Sequence, residues 1–235
     1  MKHHIFWITF FAIGMAFVES SVVVYMRELY YPASFDFPLR VIDNHIAITE
    51  ILREAATLIM LLGVAVLASK KKAEIPAWFI YTFAIWDIFY YVFLKAILNW
   101  PDSLLTWDIL FLIPLMWTGP VVAPVINSLT MIILALTILH FSRKGYRISI
   151  QWKEWMLIII GCMTTITAYT MDYYNFISPE FSLWEVFSFS RGDELMQYTT
   201  NYVPVSFNWY VFGAGEILFL IVIWVYARRL MHRNP

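Results

Sequence analysis

The sequence predicts an all-α membrane protein: one polytopic bundle of six transmembrane helices filling residues 1–235. Three observations predict it. Of 235 residues, 61% are hydrophobic and only 14% charged, whereas soluble domains run near ~45–50% and ~25%. Six apolar runs are long enough to cross a bilayer, which needs ~20 helical residues each. Lysine and arginine cluster on alternate connections between those runs.

The spans fall at about 5–26, 46–68, 76–97, 120–141, 155–174 and 208–227. The first resembles a signal peptide, with Lys2, an apolar core and Gly14-Met15-Ala16. Its apolar character resumes after Glu19 through Val22-Val23-Val24, which favours a retained span. The uncharged stretch from Ile109 to Ser142 is too long for one crossing, about 51 Å at ~1.5 Å per residue. Pro114, Gly119, Pro120 and Pro124 interrupt it. Residues 104–117 are therefore expected to form a short interfacial or re-entrant segment, with a seven-span topology as the rival. A short amphipathic helix is expected near Leu183–Phe189.

Placing the amino terminus in the cytoplasm gives the inner side Lys2, Lys70-Lys71-Lys72, Arg143, Lys144, Arg147, Lys153, Arg228, Arg229 and Arg233. The outer side keeps Arg27, Arg40 and Arg191. That asymmetry predicts both termini in the cytoplasm of a plasma (inner) membrane. Tryptophans and tyrosines near the span ends, among them Trp78, Trp100, Trp107, Trp117, Trp152, Trp155, Trp184 and Trp209, read as interfacial anchors.

Several functions are excluded or disfavoured. The net charge of -1 offers no field for nucleic acid. The lone Cys162 and the absence of CxxC or CxxCH exclude iron–sulfur clusters and covalent haem. Cys162 itself reads as a small buried hydrophobe. No nucleotide fingerprint, HExxH or Gly-x-Ser-x-Gly occurs. The Glu-x-x-His pattern of carboxylate-bridged metal pairs is also missing.

The informative residues are charges inside the spans, each costing about 2.5–3.5 kcal/mol at a helix centre. Glu19, Glu54, Asp87 and Glu216 are the candidate carboxylates, for protons or for a divalent metal. They are expected to converge in an outward-facing pocket. Glu50, Arg53, Glu54 and Thr57 share one helix face by their i, i+3, i+4, i+7 spacing. Arg53 would set the charge balance, with Glu50 and His45 at the entrance. Asp87, Tyr91 and Lys95 follow at i+4 steps, so Tyr91 and Lys95 are candidate relay groups. Three classes stay open: cation binding linked to transport or to a membrane complex, a metal-dependent enzyme acting on a lipid-soluble substrate, and a structural subunit of a complex. The lipid bilayer is the expected environment, with other membrane subunits as candidate partners.

Overall fold

The structure is a computed structural model describing residues 2–31, 35–40, 42–112, 115–188 and 190–232. Pro114, Phe189 and Arg233 lie outside the described residues. Six helices are long and apolar enough to cross a membrane. They are α1 (Lys2–Tyr30), α2 (Asn44–Ala68), α3 (Ile75–Leu98), α4 (Val122–Arg143), α5 (Trp152–Ile177) and α8 (Trp209–Met231). Two short helices, α6 (Leu183–Ser188) and α7 (Gly192–Thr199), lie between α5 and α8.

Helix ends follow local chemistry. Pro76 sits in the first turn of α3, where a missing N–H costs nothing. Asn99 closes α3 in the left-handed region at φ 53. Gln151 and Glu154 form a capping box at the start of α5. The Asn208 side chain accepts from the Val211 N–H at 3.1 Å and starts α8.

Packing is ordered around α3, which contacts α1, α2 and α4; α4 then meets α8, and α8 meets α5. The tightest approaches use small residues, as expected where lipid supplies no hydrophobic drive between helices. Ala12, Ala16 and Ser20, spaced four apart on α1, are fully buried. The Ser20 hydroxyl also donates to the Tyr90 carbonyl of α3 at 3.2 Å. Between α5 and α8, a side chain on Gly215 would meet the Thr165 hydroxyl and, at 3.3 Å, the Gly161 carbonyl.

Both ends of the bundle have their own character. At the basic end, Ile8, Ala65, Trp78, Phe141, Tyr226 and Leu230 form one cluster, so the starts of α1 and α3 meet the ends of α2, α4 and α8. At the other end the chain departs from expectation. Among the described residues of 104–117 there is no seventh helix. They contribute to an antiparallel hairpin of β1 (Trp107–Phe111) and β2 (Trp117–Pro120). Phe111 packs against the cluster of Ala16, Leu61 and Trp86, so the hairpin dips to the middle of the bundle. Non-helical backbone at that depth survives only when other protein groups satisfy it. Here the Glu54 carboxylate accepts from the Leu112 N–H at 3.1 Å. Gly119 sits opposite Asp108 in the register. A side chain at Gly119 would come to 3.0 Å from the Phe207 ring, so any larger residue needs that ring to shift.

Two smaller expectations are corrected. Cys162 is exposed on α5 rather than buried. Trp78 and Trp100 are core residues, at 2% and 5% exposure, and Trp117 stacks on Tyr169 at 5.6 Å. Among the expected anchors, Trp152, Trp155, Trp184 and Trp209 do stand exposed.

Candidate functional site

The acids in and beside the spans fall into two kinds. The first kind is tied to arginine or to backbone. Arg53 reaches both Glu19 on α1 and Glu50 on its own helix, so one guanidinium serves two carboxylates. Thr57 adds a weak contact to Glu19 at 3.4 Å. Glu54 lies within electrostatic reach of Arg53, Glu50 and Glu19 and also accepts from the hairpin backbone at Leu112. Arg27, near the end of α1, bonds Asp108 of β1 at 3.2 Å, and both side chains are buried. Its guanidinium is held between Trp100, at 3.7 Å, and Phe35, at 4.4 Å. These contacts knit α1, α2 and the hairpin together.

The second kind is held by neutral donors from one stretch of α4. Ser128 donates to Asp87 of α3 at 2.7 Å. Asn127 and Thr130 donate to Glu216 of α8 at 2.7 and 2.6 Å. Asp87 keeps some accessible surface, while Glu216 is buried. Tyr169 of α5 lies within electrostatic reach of both Asp87 and Glu216, and its hydroxyl has no hydrogen-bond partner.

The four carboxylates expected to converge are thus divided. Glu19 and Glu54 lie around Arg53, with Glu54 bridging to the hairpin, and Asp87 and Glu216 flank α4. His45 is exposed in the first turn of α2. Among the described residues no group of three or more His, Cys, Asp or Glu is placed to hold a metal ion. Lys95 turns to the end of its own helix, donating to the carbonyls of Asn99 and Pro101 at 3.1 and 3.0 Å. That leaves it outside the relay suggested by spacing alone. Tyr91 instead sits near Asp87 and Asp108.

Sequence reasoning missed four acids. Asp108 fell in the segment taken as a surface or re-entrant stretch; its only signal was an acid in a long apolar run. Asp172 accepts from Tyr202 at 2.8 Å and from the Val205 and Ser206 N–H groups at 3.2 and 3.0 Å, anchoring the strand of chain that leads into α8. Glu74 and Glu154 are buried just outside the expected spans, at the basic end.

Asp108 lies outside the six spanning helices, and burial pushes its carboxyl from 3.8 up to about 6, against the lowering effect of Arg27. The folded value exceeds the unfolded one, so ionised Asp108 weighs against folding above it. That penalty is relieved as pH falls through about 6. Thermal unfolding in detergent should therefore show a midpoint higher at mildly acid than at neutral pH. Asp108→Asn should flatten that part of the profile; an unchanged profile would contradict the assignment.

No family model, curated protein or solved structure matches this chain. The reading of the site rests on its geometry.

Proposed function

We propose that this protein binds and releases protons at Asp87 and Glu216 inside the bilayer, as the coupling site of a transport function or of a membrane complex. One observation carries the reading: both carboxyls take their donors from neutral groups, Asn127, Ser128 and Thr130, in one stretch of α4. An arginine favours the carboxylate form of its partner. A hydroxyl donates to a carboxylate and accepts from a carboxylic acid, and an amide does both through its two ends. Such a setting tolerates either protonation state at low cost. The acids at Glu19 and Glu50, by contrast, are compensated by Arg53.

The charge asymmetry places the hairpin end outside and both termini in the cytoplasm of a plasma membrane. Protons are favoured over a divalent metal, because a metal needs several ligands in one place. The metal-dependent enzyme is disfavoured for the same reason.

Infrared difference spectra of the protein in nanodiscs, taken between about pH 5 and about pH 8, test this directly. Wild type should show titrating carboxyl bands. Asp87→Asn should remove one, and Ser128→Ala should shift that same band. In vesicles, Asp87→Asn should abolish proton-dependent flux while leaving expression intact. Folded variants with spectra identical to wild type would overturn the proposal.

A further inference from the structure

Three connecting segments meet beside the hairpin and leave a cavity of about 170 Å³ between them. The chain after α1 supplies Phe35, Asp36 and Phe37. The start of the hairpin supplies Thr106 and Trp107, and the chain leading into α8 supplies Val203 and Pro204. Neighbouring groups hold these walls in place. Phe37 meets Phe35 and Tyr202 edge-on, with ring centres 5.6 and 5.8 Å away, and Trp107 meets Phe207 at 6.2 Å. The Thr106 hydroxyl accepts from the Ser103 N–H at 3.1 Å. Asp172 fixes the Val205 N–H, next to Pro204, at 3.2 Å. Asp36 and Val203 are exposed, so the cavity opens beside them. Asp36 Oδ1 accepts from the Phe37 N–H at 2.8 Å. A carboxylate offers about four lone-pair sites, so this one bond leaves most of its negative field available to a ligand.

We propose that this cavity binds an alkylammonium head, with Asp36 supplying the opposite charge and Phe35, Phe37 and Trp107 supplying an aromatic wall. A quaternary ammonium carries its charge under apolar methyl groups and has no N–H to satisfy. Aromatic rings and a single carboxylate answer both properties. A hard metal ion needs several oxygen ligands together and meets one acid here. An anion is repelled by Asp36, and a neutral apolar group gains nothing from it. Size agrees with this choice: a cavity of about 150 Å³ admits a benzene-sized molecule, so this one takes a trimethylammonium head and excludes an acyl chain. The Phe35 ring already lies 4.4 Å from one cation, the Arg27 guanidinium, whose charge Asp108 matches. Small soluble solutes and choline lipids both carry such a head. The cavity uses none of the residues assigned to proton binding, so the two readings stand or fall separately.

The test is saturation-transfer NMR of tetramethylammonium with the protein in maltoside micelles. Wild type should bind it saturably, and should bind neopentyl alcohol, of similar shape without the charge, about tenfold more weakly. Asp36→Asn should weaken tetramethylammonium about fivefold and leave the alcohol unchanged. Val203→Trp keeps every charge but fills the mouth, and should abolish binding of both. In nanodiscs, loss of the tetramethylammonium signal in phosphatidylcholine but not in phosphatidylglycerol identifies a lipid head as the natural occupant; equal signals identify a soluble solute. Absence of saturable binding to wild type overturns the proposal. So does equal binding of the alcohol and the cation, or wild-type binding by folded Asp36→Asn and Val203→Trp.

Discussion

Replacing Arg53 with Met should cost about 3–5 kcal/mol of stability, one of the two largest losses expected from a single change. The guanidinium bonds Glu19 across the α1–α2 contact and Glu50 one turn away. Without it two carboxylates remain beside lipid-facing helices with no cation. The contact between α1 and α2 is otherwise slight, since α2 rests chiefly on α3. Arg53→Lys keeps one charge but loses the planar fork that serves two acids at once, so it should fall between. The triple change Glu19→Gln, Glu50→Gln, Arg53→Met should recover most of the loss, because no uncompensated charge is left. Equilibrium unfolding in mixed detergent measures all three, and wild-type behaviour of the single variant would count against the account.

The second large loss is expected at the basic end. Arg229 of α8 bonds both oxygens of Glu154 at 2.7 and 2.9 Å, and the Ser149 carbonyl at 2.7 Å. Glu154 is 1% exposed and also caps α5 by accepting from the Gln151 N–H at 2.8 Å. One carboxylate therefore starts a helix and pins it to its neighbour. Arg229→Met should cost about 3–5 kcal/mol by stranding that charge. Pairing it with Glu154→Gln should restore much of the stability, because the amide oxygen still caps the helix. A single variant as stable as wild type would mean that the pair contributes little. Both experiments bear on scaffold rather than site, so Asp87 should titrate normally in any variant that folds.

The roles of these arginines were only partly legible in the sequence. The i, i+3, i+4 pattern around Arg53 announces a shared helix face and a charge-balancing role, which its contacts with Glu19 and Glu50 fill. Arg229 looked like one more positive charge in the terminal basic segment. Its partner Glu154 sits 75 positions earlier in the chain, and no local pattern links them. Asp87 and Glu216 stood out because a carboxyl inside an apolar run is costly wherever it lies. Their donors on α4 were visible only as small polar residues near the middle of a span.

The hairpin teaches the same lesson from the other side. Pro114, Gly119, Pro120 and Pro124 mark the long uncharged stretch as broken, with six spans expected and seven as the rival. A pair of strands reaching the bundle centre was not foreseeable. Its backbone is satisfied partly by Glu54, from a helix whose Leu112 contact lies 58 positions away.

By itself the sequence determined the membrane character, the approximate positions of the apolar runs, the breaks between them and the presence of costly acids in the apolar phase. Those properties depend on hydropathy and helix-breaking residues, which act over a few turns of chain. Only the tertiary structure decided which acids meet arginine and which meet neutral donors. That outcome depends on the rotation and depth of each helix against its neighbours. A fraction of a turn moves a carboxyl from one partner to another while leaving the hydropathy of its span unchanged.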